Sequence, residues 1–140
     1  MSAQGYAGDL TPQEAWELLQ RDPDALLVDC RTTAEWTYVG VPDTEDLGRD
    51  VVMVEWQQYA TGQVNERFVD ELRESLGDKP ERPLVFLCRS GVRSVAAARA
   101  ATDAGLGPSY NVLDGFEGGV HAGHRGGAGW RAEGLPWRQG

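Results

Sequence analysis

The chain has 140 residues, 41% hydrophobic and 25% charged, which is the make-up of one compact globular domain with a true core rather than of a disordered or fibrous chain. Thirteen basic against 22 acidic side chains leave a net charge of −9, which argues against nucleic acid as a partner. The stretch from Met1 to Gly8 has neither a basic region nor an apolar core, and the longest apolar runs are only a few residues. A cytoplasmic protein with no membrane partner is therefore expected.

In chain order, Thr11, Pro12 and Glu14 form a capping-box signal, and Leu10 can staple onto Ala15, so a helix is predicted from Pro12 to about Gln20. After the turn residues Asp22, Pro23 and Asp24, the short apolar run Ala25 to Val28 ends at Asp29, as a buried parallel strand would. A short helix is predicted around Thr33 to Tyr38, followed by a turn or extended connection from Gly40 to Asp43. Residues 51 to 60 read as a strand entering a helix. Asn65 is the expected cap of a further helix carrying Phe68, Val69, Leu72 and Leu76, with Gly77 as its left-handed stop.

Leu84 to Leu87 is a second buried apolar run, and it terminates at Cys88. An alanine-rich helix is predicted from Val95 to Ala104, closed by Gly105. A third run, Tyr110 to Leu113, ends at Asp114-Gly115, and the remainder is rich in Gly and Trp without clear periodicity. Strands alternating with helices indicate an α/β domain with a largely parallel sheet, whose ligands gather at the carboxyl ends of the strands.

Two cysteines, Cys30 and Cys88, are expected as free thiols in a reducing compartment. His121 and His124 have metal-like spacing, yet the glycine-rich stretch around them offers no cysteine, and the nearest acid, Glu117, lies outside the pair. No metal site is expected. The five tryptophans are assigned to core and rim.

The chemistry converges on Cys88-Arg89-Ser90-Gly91-Val92-Arg93-Ser94. A thiol placed after a buried strand and before a helix faces backbone N–H groups that have no acceptor inside the helix. The helix dipole and the charges of Arg89 and Arg93 add to that field, so thiolate is favoured over thiol at Cys88. Gly91 lets the loop turn tightly, and Ser90 and Ser94 supply hydroxyls. Cys30, at another strand end, reads foremost as a buried core thiol, with a resolving or sulfur-accepting role as the alternative.

The segment 88–94 resembles the active-site loop of rhodanese-type sulfurtransferases. Asp29-Cys30-Arg31 resembles that family's Asp-x-Arg at a strand end, Glu35-Trp36 its acidic-aromatic pair, Asn111 to Phe116 its strand entering a glycine turn, and Gly134-Leu135-Pro136 its usual ending. The resemblance implies a rhodanese-like three-layer α/β fold with a mostly parallel five-stranded sheet, one domain over residues 8–138 and a tail over 1–7. It departs from the family at Gly40-Val41-Pro42-Asp43, where a histidine is usual, and at Cys30, where an aliphatic residue is usual.

The resemblance further implies a catalytic Cys88 that carries a sulfane sulfur as a persulfide from thiosulfate or a persulfide donor to cyanide, a thiol or a protein. Residues 89–94 would bind a small anionic donor, with Asp29, Arg31 and Glu35 in support and no cofactor required. A monomer or homodimer is expected. A persulfide carrier or regulatory module acting on a protein partner is the alternative. A cysteine phosphatase or arsenate reductase is disfavoured, because those loops place arginine six positions after cysteine, where this chain has Ser94.

Overall fold

The computed structural model describes residues 5–58, 61–89, 91–118 and 129–139. Thr11 and Glu14 form the reciprocal capping box, the Thr11 hydroxyl accepting from the Glu14 N–H at 3.1 Å and the Glu14 carboxylate accepting from the Thr11 N–H at 2.9 Å. They start helix α1, Pro12–Arg21, just after a short strand β1, Gly8–Leu10. Helix α1 buries Pro12, Ala15 and Leu19, one stripe of a 3.6-residue period.

Strand β2, Leu26–Asp29, leads to helix α2, Thr33–Tyr38, and then to the short strands β3, Val41–Pro42, and β4, Val52–Met53, with a single 3₁₀ turn between them. Helix α3 is Phe68–Leu76, β5 is Leu84–Leu87, α4 is Val92–Asp103, β6 is Ser109–Val112 and β7 is Trp137–Arg138.

Strands β1, β6, β5, β2 and β4 lie in that order in one sheet, every pair parallel, while β3 and β7 form a separate antiparallel pair. All four residues of β2 and of β5 are buried, because both faces of the sheet are covered. Register sets Leu26 opposite Leu84 and Asp29 opposite Leu87, so alternate residues feed two layers. Leu26, Val28, Leu84 and Phe86 join Phe68 and Leu72 of α3 and Ala97 and Ala101 of α4. Leu27, Val85 and Leu87 join Ala15 and Leu19 of α1, with Phe116 and Trp130. Tyr6, ahead of β1, is buried in the first layer.

Three local readings of the sequence are corrected. The stretch after β4 does not turn into a helix among the described residues. The Val54 and Trp56 N–H groups bond to the Asp29 and Cys30 carbonyls, which holds this backbone extended, and Gln57 then bridges to Val64. Helix α3 starts later than a cap at Asn65 would allow. The Asn65 side chain instead accepts from the Arg67 N–H and donates to the Glu55 carbonyl and the Glu71 carboxylate. Helix α4 starts at Val92 rather than Val95, because Gly91 reaches φ +101° and turns the chain directly into the helix.

Candidate active site

Cys88 stands one residue past β5, on the sheet edge where β2 and β6 also end. Its carbonyl accepts the Phe116 N–H at 2.8 Å, and the Arg89 carbonyl accepts those of Glu117 and Gly118 at 3.0 and 3.2 Å. The turn after β6 thereby fixes the loop's backbone from behind. Asp114 and Gly115 both take positive φ in that turn. A Cβ at Gly115 would lie 2.3 Å from the Cys88 carbonyl oxygen, so only glycine permits this approach.

The sulfur is turned inward, and Cys88 is 1% exposed. Its Sγ accepts the Gly91 N–H at 3.1 Å, at the N-terminal cap of α4, and lies 3.2 Å from the Ser94 Oγ, itself fully buried. A backbone donor at a helix start is the arrangement that favours negative charge on sulfur. Val92, by contrast, exposes its side chain to solvent. Ser90 lies outside the described residues, as do His121 and His124.

Both arginines of the loop carry a carboxylate partner. Arg93 forks onto Glu35 with its two terminal nitrogens at 2.7 and 2.9 Å, in a partly buried pair. The Arg89 Nε donates to Glu117 at 3.3 Å, and that guanidinium is about half exposed. Glu35 also caps α2 by accepting from the Thr32 N–H. Burial pushes the Glu35 carboxyl up, but the Arg93 guanidinium and the Thr32 donors outweigh it and hold the group below its ordinary value. Arg93 is held correspondingly above its own, the Glu35 carboxylate outweighing burial.

Asp29 and Arg31 form a fully buried pair, with Arg31 nitrogens 2.9 and 2.7 Å from the carboxylate. Arg31 also donates to the Gly40 carbonyl at 2.7 Å and lies over the Phe116 ring at 4.3 Å. This pair ties the end of β2 to the start of β3 and to the turn that braces the Cys88 loop. Cys30, between them in sequence, is buried beside Cys88 and points its S–H at the Leu87 carbonyl, 3.3 Å away. Burial pushes its thiol well above the ordinary range, and the neighbouring Cys88 and Asp29 push the same way.

Besides Glu117, the structure adds Asn111 and Asp9, which the sequence pattern did not place in the site. Ser94 Oγ bonds to the Asn111 Oδ1, and Asn111 Nδ2 donates to Asp9 at 2.9 Å. The available signal was a polar residue inside the apolar strand Tyr110 to Leu113, since a buried amide needs partners. A cleft of about 450 Å³ lies between Pro42, Thr44, Asp50 and Met53, and none of the described residues of the loop 88–94 is in its wall.

With this geometry in view, residues 7–140 match the family described as the STR4 middle domain. The chain belongs to that family. The chain is 57% identical to Rv0390 from M. tuberculosis, whose crystal structure superposes with a TM-score of 0.88 over 96% of this chain and 99% of that one. An uncharacterized protein of Rickettsia conorii is 36% identical over 125 residues, covering 89% of this chain and 92% of the relative. The polysulfide-sulfur transferase homodimer of Wolinella succinogenes is 24% identical, with a TM-score of 0.64 over 97% of this chain and 80% of that one. A rhodanese-like domain from Anabaena sp. is 17% identical, with a TM-score of 0.58 over 99% and 80% of the two chains. At these identities the last two likenesses show the fold, which is rhodanese-like, with its five-stranded parallel sheet flanked by helices.

Proposed function

We propose that this protein is a sulfurtransferase whose nucleophile is Cys88. The observation that carries the reading is the Cys88 Sγ held at 3.1 Å from the Gly91 N–H at the start of α4, with Ser94 beside it. The Cys88 thiolate attacks the outer sulfur of thiosulfate or of a persulfide. A Cys88 S–S bond forms, the donor's S–S bond breaks, and sulfite or a thiolate leaves with the electron pair. The loop amides stabilise the terminal persulfide anion until cyanide, a thiol or a protein acceptor removes that sulfur.

Glu35 already forks onto Arg93, so Arg89, half exposed, is the loop arginine better able to meet an anionic donor. No resident cofactor enters these steps. The net charge of −9 supports a small-molecule or protein partner over nucleic acid, and the proposed setting is the cytoplasm, as a monomer or homodimer. No helix among the described residues is long and apolar enough to cross a membrane. Thiocyanate formation from thiosulfate and cyanide tests the reading. Turnover by the wild type, lost in Cys88→Ser, is the expected result, and equal turnover by both proteins would overturn it.

A further inference from the structure

The Ser94 hydroxyl has one proton and two neighbours able to accept it, the Cys88 sulfur at 3.2 Å and the Asn111 Oδ1. Which of them receives it depends on how the Asn111 amide is turned, and that is fixed from the far side. Asp9 offers a carboxylate, which only accepts, and the Asn111 Nδ2 donates to it at 2.9 Å. The Tyr6 hydroxyl donates to the same Asp9 oxygen at 2.9 Å, which leaves that oxygen committed as an acceptor. The amide oxygen therefore faces Ser94 and draws its proton away from the sulfur. In this orientation Ser94 can only accept from Cys88, which suits a thiol and not a thiolate.

We infer that Asn111, oriented by Asp9, is a positioning residue that restrains ionisation of Cys88 by claiming the Ser94 proton. This rests on the reading of Cys88 as a sulfur nucleophile and identifies what regulates it. Gly91 and the helix start favour the anion, while the Ser94–Asn111–Asp9 chain opposes it until the hydroxyl rotates onto sulfur and leaves the Asn111 oxygen unpaired. The resting thiol is thereby less open to adventitious oxidation.

Other charged groups bear on the same sulfur, and substitution at Asn111 or Asp9 leaves them in place. Cys30, itself beside Asp29, approaches from the end of β2, and Arg93, paired with Glu35, from α4. Arg89 with Glu117 flanks the loop, and Arg99 lies over the ring of Tyr6, whose hydroxyl bonds to Asp9.

The test is the rate of iodoacetamide alkylation at Cys88 against pH, read by peptide mass so that Cys30 is counted separately. Asn111→Leu removes the competing acceptor at similar volume and without a change of charge. It is expected to raise the rate at neutral pH about tenfold and to move the profile to lower pH, the size of one hydrogen bond to a charged group. Asp9→Ala, at an exposed position, frees the amide to turn and is expected to shift the profile the same way with less risk to folding.

In a Ser94→Ala background the Asn111→Leu shift is expected to vanish, because the hydroxyl that transmits it is gone. An unchanged profile in both Asn111→Leu and Asp9→Ala, or an Asn111→Leu shift that persists without Ser94, would overturn the inference. Alkylation requires no sulfur donor, so a chain that shows these shifts yet never accepts sulfur would refute the proposed function and leave the relay standing. Sulfur transfer with unshifted profiles would do the reverse.

Discussion

Cys30 and Cys88 stand at the ends of adjacent parallel strands, both buried in the same layer of the core, yet their sulfurs meet opposite partners. Cys88 Sγ accepts from a backbone N–H, and Cys30 Sγ donates to a backbone carbonyl. The Gly91 donor suits an anion on sulfur and the Leu87 acceptor a thiol. The difference originates in the connection that leaves each strand. After β5 the chain turns through Gly91 straight into α4, so the helix start faces back onto the sulfur. After β2 the chain passes through the buried Asp29–Arg31 pair before α2 begins at Thr33, and the Cys30 sulfur meets the Leu87 carbonyl instead of a helix start. Burial alone holds Cys30 as a thiol and its carbonyl partner reinforces that, whereas at the equally buried Cys88 the Gly91 N–H works against burial.

The comparison breaks most visibly on removing each thiol in turn. Cys88→Ser is expected to reduce sulfur transfer on the order of a thousandfold or more, whereas Cys30→Ser, whose hydroxyl can still donate to Leu87, is expected to leave it within about twofold. Steady-state thiocyanate assays measure both. A large loss in Cys30→Ser would assign that thiol a direct part in transfer.

Gly91→Ala comes next. It places a side chain at φ +101° and moves the amide that donates to Cys88, with an expected loss of about a hundredfold in kcat/KM, comparable to losing one donor to a developing anion. The same change is expected to cost about 1–2 kcal/mol in urea unfolding.

A third substitution, Glu35→Gln, sharpens the role of the charge partner. It leaves Arg93 partly buried without its carboxylate, and a loss of about 1–3 kcal/mol at neutral pH is expected. Because the Glu35 carboxyl is held below its ordinary value of 4.5, its contribution is full above that pH and fades as pH falls through the depressed folded value. The stability gap between wild type and Glu35→Gln should therefore close in acid, as unfolding curves from pH 7 to pH 3 would reveal.

The smallest effect is expected at Cys30 itself. In the folded protein it should resist alkylation at neutral pH while Cys88 reacts, and both should react after unfolding, as peptide mass mapping would record.

Periodicity and capping carried most of the fold. The Thr11–Glu14 box, the four-residue run Leu84–Leu87 and the α2 span Thr33–Tyr38 were legible because each depends on neighbours in sequence. Strands β1 and β7 were not, since three and two residues are too few to show alternation and their pairing is set by distant partners. The site divides the same way. Cys88, Gly91 and Ser94 lie in one loop and announced themselves. The partners of the arginines lie 58 and 28 residues away, and Asn111 meets Asp9 across 102 residues. Spacing along a chain carries no record of which carboxylate or amide the folded sheet brings alongside.

The most direct test of the nucleophile is the mass of the protein after incubation with thiosulfate or a glutathione persulfide under non-reducing conditions, followed by peptide mapping. A gain of one sulfur atom on the peptide that carries Cys88, reversed by cyanide, is predicted. No gain with either donor, or a gain confined to the Cys30 peptide, would contradict it.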